Sequence, residues 1–294
     1  MKIAKRSAAE AGKGREKKTR RRMRTESPDS EDKRMPFWGH LDELRTRIVT
    51  AVIAVAVGFG IAYGFSENVL AILLLPMKAD LGFTGEFPYI AFLPVEGRPT
   101  LHFATLTEPF WAHIKISLIA GVFLVVPVIM HQIWLFLAPG FMPKERKFAG
   151  YFVLFSTVFF GAGILFCFFV LLPFAVPFLL GFKTEHLVPI LTIGRYVDFV
   201  LKLLLATGLV FELPLIIVLL TRMGILTPEW LANNRKYALL ASFILGAILT
   251  PTQDIFNMTL LSIPIYFLYE FGILASRVLR KKTKTDAMDL KETG

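Results

Sequence analysis

The chain has 294 residues, of which 54% are hydrophobic and only 19% charged, with a mean hydropathy of +0.57. Soluble domains carry about 25% charge, so there is too little polar surface to cover this much apolar material, and a soluble enzyme is excluded. The net charge of +10 and the single Cys leave no internal disulfide framework and no Cys-based zinc or iron–sulfur site.

The basic residues sit mainly at the two ends. Residues 1–47 hold fifteen Lys and Arg, and residues 277–294 hold six. No folded basic domain accompanies them, so a nucleic-acid partner is not expected; basic segments that flank apolar spans are retained in the cytoplasm. Residues 1–34, rich in Lys, Arg, Glu and Ser, read as a disordered cytoplasmic extension. The first apolar run begins near residue 48, too late for a cleavable leader.

A helix needs about 20 apolar residues to cross a hydrocarbon core of about 30 Å. In chain order the expected spans are 48–65, 116–137, 148–180, 199–220, 237–249 and 255–268. The third has no charge over thirty-three residues, with Pro173 and Pro177 as bend points. The fourth contains Lys202 and Glu212. The last two are thirteen and fourteen residues long, short enough to require a thinned bilayer. Lys and Arg crowd alternate connections: Lys144, Arg146 and Lys147 in one, Arg222, Arg235 and Lys236 in another. That alternation places both termini in the cytoplasm, with residues 281–294 as a cytoplasmic tail.

No nucleophile elbow, zinc-binding helix, phosphate loop or Cys pair occurs, and the five His show no metal-binding spacing. Neither a catalytic nor a metal site, nor a cofactor, is expected. Acidic residues in unexpected places remain. On a helix, Glu43 and Arg47 are i,i+4 partners and Asp42 lies near Arg45, a sufficient account of that stretch as a salt-bridged lead-in. Glu145 follows Pro143 in the first turn of the third span, where a helix N-terminus favours an anion. Glu212 lies deep in span four, where an unpaired carboxylate costs about 2.5–3.5 kcal/mol on insertion scales. Two readings stay open: a neutral Glu bonded to a carbonyl freed by Pro214, or a polar handle for another transmembrane helix. Lys202 can snorkel toward the interface and pair with Asp198 at i,i+4. Gly60-x-x-x-Gly64 offers a close helix approach, used most simply within the chain.

The stretch His40-Leu41-Asp42-Glu43-Leu44-Arg45-x-Arg47 resembles the N-terminal motif of the TatC family, the polytopic subunit of the twin-arginine protein translocase. Matching motifs follow in order: Leu75-Pro76, Pro139 through Lys147, Phe211-Glu212-Leu213-Pro214, Leu249-Thr250-Pro251-x-x-Asp254 and Glu270-Phe271-Gly272, over about residues 36–280. The resemblance implies an all-α integral membrane protein with six helices in a concave cup, the last two short. It implies a transporter component rather than an enzyme, in a bacterial or archaeal cytoplasmic membrane. Within a multimeric complex with single-span TatA and TatB partners, it would recognise Arg-Arg signal peptides and move folded precursors on the proton-motive force. It assigns Glu43 and Glu145, with Arg45, to the signal peptide, and Glu212 to a partner helix or the inserting signal. It gives Pro76 and Asp254 a shaping role at the outer face. Two carboxylates can each take a guanidinium fork to fork, which an ammonium cannot match. The extension 1–34 and the outer loop 77–106 are longer than is usual for the family. A secondary transporter, the competing class, would show internal repeats and converging polar groups at mid-membrane, whereas here the two halves differ.

Overall fold

The computed structural model describes residues 37–83, 90–94, 101–138, 149–181, 190–250 and 254–292. The chain divides into a unit of Met1–Leu44 and a larger unit of Arg45–Gly294. The extension 1–34 and Glu145 lie outside the described residues. In the first unit, residues 37–44 are helical.

The first helix, α1 (Phe37–Gly64), is followed by α2 (Ser66–Leu73) and α3 (Leu75–Lys78). Next come β1 (Ala79–Phe83), β2 (Ile90–Pro94) and β3 (Leu101–His102), then the long α4 (Glu108–Leu137). Helix α5 (Ala149–Phe166) passes through a π-helical turn, Cys167–Leu171, into α6 (Leu172–Gly181). After β4 (Leu191–Thr192) come α7 (Ile193–Val210), α8 (Leu213–Arg222), α9 (Pro228–Asn233), α10 (Arg235–Leu249) and α11 (Ile255–Glu292). Among the described residues, five segments are long and apolar enough to cross a membrane: Leu41–Gly64, Glu108–Leu137, Gly150–Gly181, Ile193–Arg222 and Ile255–Val278. Helix α10, the expected fifth span, has 15 residues.

The molecule is nearly all helical, and the departures have local causes. The loop strands β1 and β2 pair antiparallel from Ala79↔Pro94 to Phe83↔Ile90, and β3 pairs parallel with β4 at Leu101↔Leu191 and His102↔Thr192. Outside the helices these backbone groups need partners, and they find them in one another. In the third span a π turn precedes Pro173, where the Leu172 amide donates to the Cys167 carbonyl. Pro173, one residue on, has no N–H to continue the regular ladder, and the wider turn absorbs that defect.

The last helix is not short. The uninterrupted apolar run of the expected span, 255–268, lies just ahead of Tyr269 and Glu270. Helix α11 runs 38 residues, and within it Glu270 pairs with Arg235 on α10. The Arg235 Nε donates to Glu270 Oε1 at 2.6 Å and Nη2 to Oε2 at 3.0 Å, with the Tyr266 hydroxyl adding a bond at 3.1 Å. The apolar face then resumes with Phe271, Ile273 and Leu274.

A core of Ile116, Cys167, Leu172, Val197, Val200 and Leu261 binds α4, α6, α7 and α11. The lipid-facing side of α1 is apolar but open, with Val52, Ile53, Val57 and Ile61 all exposed. Its contact with α4 is made through a glycine pair that the Gly60/Gly64 spacing did not indicate. Gly60 and Gly64 have open space where a side chain would be, whereas a Cβ on Gly58 would lie 2.7 Å from the Gly121 carbonyl oxygen. Reciprocally, a Cβ on Gly121 would lie 2.5 Å from the Phe59 nitrogen. The backbones of α1 and α4 therefore cross in direct contact. At the far end of the chain, α10 and α11 meet the same way, a Cβ on Gly246 falling on the Ser262 hydroxyl and 2.8 Å from the Met258 carbonyl.

Gly58→Ala should force the α1–α4 crossing apart and cost about 1–3 kcal/mol, the range for overpacking. Gly60→Ala, two residues along on the open side, should hold or raise stability because Ala is the better helix former. Thermal unfolding of the purified variants in detergent checks the contrast; equal midpoints would contradict the crossing.

Candidate functional site

The polar side chains that enter the membrane-spanning segments need partners inside the protein. Most Ser and Thr hydroxyls meet this need within their own helix. Ser117, Thr157, Thr207 and Ser262 each donate to the carbonyl one turn back, at 2.6 to 2.8 Å. Ser156 behaves differently. Its hydroxyl leaves α5 and donates to Glu212 Oε1 at 2.7 Å, between residues 56 positions apart. Ser156 is fully buried and Glu212 is 6% exposed.

The backbone explains how Glu212 comes to be there. The apolar run of the fourth span is interrupted at Phe211-Glu212, α7 ending at Val210 and α8 starting at Leu213 with Pro214 in its first turn. Proline suits that position because its missing N–H would be unpaired there in any case. Glu212 is the capping residue of α8, yet its side chain makes no bond to the helix end and turns to Ser156. Its partner is thus a hydroxyl on a neighbouring helix and not a carbonyl freed by Pro214.

The other expected residues are placed as follows. Glu43 is half-buried on α1 in the first unit, and Arg45, in the second, is exposed. Pro76 is buried within α3. Asp254 caps α11: Oδ1 accepts from the Asn257 amide at 2.7 Å and Oδ2 from the Asn257 side chain at 2.9 Å. A carboxylate bonding the third residue of a helix satisfies one of its free amides and favours the positive end of its dipole.

Two further polar contacts hold α4 to α7. Asp198 pairs with Lys115 at 2.7 Å and not with Lys202, which is exposed. Glu108, the first residue of α4, reaches the first turn of α7, where Oε1 accepts from the Gly194 amide at 2.8 Å, while Oε2 accepts from the Ala104 amide at 2.7 Å. One carboxylate thus satisfies amides from two segments. Lys115 follows Glu108 by seven positions and Asp198 follows Gly194 by four, so both contacts fall on facing sides of the two helices. Helical spacing was the available signal, but choosing the partner helix needed the fold.

A polytopic helical protein of the membrane, with its polar groups paired across helices, belongs to a class that includes channels, transporters and translocases. Comparison with known proteins narrows this. The family profile described as Sec-independent protein translocase protein (TatC) matches residues 39–264. The Sec-independent protein translocase protein TatC of Desulforapulum autotrophicum is 38% identical over 262 residues, covering 89% of this chain and 92% of that protein. That of Carboxydothermus hydrogenoformans is 39% identical over 252 residues, covering 86% and 97%. Crystal structures of the twin-arginine translocase receptor TatC superpose with TM-scores of 0.65 and 0.67 at 35% and 37% identity, each covering 81% of this chain and 98% or 99% of the other. The chain belongs to the TatC family, and is an integral membrane subunit of a Sec-independent protein translocase.

Asp254→Ala should destabilise the start of α11 by about 0.5–2 kcal/mol, and Asp254→Asn, which retains a capping oxygen, by much less. Thermal midpoints in detergent read the difference, and equal losses would remove the capping role.

Proposed function

We propose that this chain is the signal-peptide receptor of a twin-arginine translocase in the cytoplasmic membrane, with both termini in the cytoplasm. Glu43 and Glu145 each take one arginine of the Arg-Arg signal, with Arg45 in the same motif as Glu43 contributing to the site. Carboxylates suit the task because each can accept two parallel N–H bonds from a guanidinium, whereas lysine offers only a point charge. Helix α10 completes a sixth, short span within the concave arrangement that the resemblance implies. Pro76 and Asp254 shape the outer face. Glu212, paired with Ser156 in an otherwise apolar wall, is the polar group offered to a TatA- or TatB-type partner helix or to the inserting signal. Folded precursors then cross within the assembled complex, driven by the proton-motive force.

The observation that carries this reading is family membership over most of the chain, together with the motif residues Leu41–Arg47 at the head of the first apolar helix. Crosslinking of an Arg-Arg precursor tests it. Glu43→Gln and Glu145→Gln should each lower crosslinking about tenfold or more, as expected for losing a charge-assisted pair of about 1.5–3 kcal/mol, with membrane insertion intact. Unchanged crosslinking in the double variant would overturn the assignment. Glu212→Ala should lower co-purification of TatA or TatB partners, and wild-type recovery would leave Glu212 a structural residue.

A further inference from the structure

A second feature lies at the Glu108 end of α4 and the start of α7, next to the α3 helix that holds Pro76. Met77, Val176, Leu180, Leu191, Tyr196 and Phe199 line a groove of about 190 Å³ between α3, α6 and α7. The one charged side chain lining it is Arg195, which is exposed in the first turn of α7. Tyr196 contributes only its ring, since its hydroxyl donates to the Leu73 carbonyl at 2.7 Å.

The nearby acidic groups are engaged elsewhere. Asp198 accepts from Lys115, and both Glu108 oxygens accept backbone amides. Among the described residues, no carboxylate pairs with Arg195. A guanidinium therefore stands at the start of a membrane-spanning helix, beside an apolar groove, with no carboxylate among the described residues paired to it.

We infer that this groove binds an anionic phospholipid of the bilayer, an acyl segment lying against Val176, Leu180 and Phe199 and the headgroup phosphate held by Arg195. The groove's apolar lining gives a free phosphate nothing beyond the one cation. An acyl chain gains from the lining at about 0.8 kcal/mol per buried methylene, and guanidinium can bond a phosphate bidentately. Position agrees with this occupant, since a first-turn residue of a spanning helix sits at headgroup depth.

The test uses the full chain in nanodiscs of phosphatidylglycerol and phosphatidylcholine in equal amounts, with retained lipids counted by native mass spectrometry after gentle extraction. Wild-type protein should retain phosphatidylglycerol over phosphatidylcholine by about fivefold, the factor one cation near an anionic headgroup supplies. Arg195→Gln should bring the two to parity, Arg195→Lys should keep part of the preference, and Leu180→Trp should lower retention of both lipids by filling the groove. Lys202→Gln, which removes an exposed cation two turns along α7, should leave the preference intact. Undiminished preference in Arg195→Gln, or an equal loss in Lys202→Gln, would overturn the assignment. Equal retention of both lipids by the wild-type chain would mean adventitious lipid only.

Discussion

The hydrocarbon core of a bilayer offers no hydrogen bonds, and that constraint governs this molecule from backbone to site. Every backbone amide and carbonyl at membrane depth must be satisfied by the protein, which leaves helices as the economical solution for a chain of this composition. The irregular features are places where the rule is met by other means. The π turn before Pro173 re-routes the ladder, and the break at Phe211-Glu212 is followed by a proline where no amide is needed. Polar side chains obey the same rule, either by bonding their own helix or by reaching across to another.

The cross-helix contacts are few and each joins segments distant in sequence. Glu212 meets Ser156, Asp198 meets Lys115, and Glu270 meets Arg235, across 56, 83 and 35 positions. Between hydrocarbon-facing helices there is little hydrophobic drive to associate, so close glycine contacts and such polar pairs supply the specificity of packing. The Gly58–Gly121 crossing and the Gly246–Ser262 contact do this at the two ends of the chain. Glu108 and Lys115 do it where α4 meets α7.

Much of the architecture is legible in the sequence alone. Long apolar runs with basic flanks are strong signals because each is summed over about twenty residues, and the motifs from His40 to Gly272 identified the family. Single-residue geometry was less legible. Spacing suggested Gly60 and Gly64, but the packed pair includes Gly121 on another helix. It suggested Lys202 for Asp198, but Lys115 is nearer in space. The final span, short by its apolar run 255–268, belongs to a helix that continues past Glu270, whose pairing with Arg235 depends on how α10 and α11 lie together. In each case the missing term was a partner from elsewhere in the chain. The cap that Asp254 makes on α11 was not read from the sequence, where the resemblance gave Asp254 only a place at the outer face.

Burial makes the polar groups of Ser156 and Glu212 depend on each other across two helices. A double-mutant cycle on unfolding in a bilayer tests that dependence most directly. Ser156→Ala should destabilise the wild-type chain and have little effect in a Glu212→Met background, a coupling of about 0.6–1.7 kcal/mol. An equal cost of Ser156→Ala in both backgrounds would show that the two side chains do not act together, and would contradict the account.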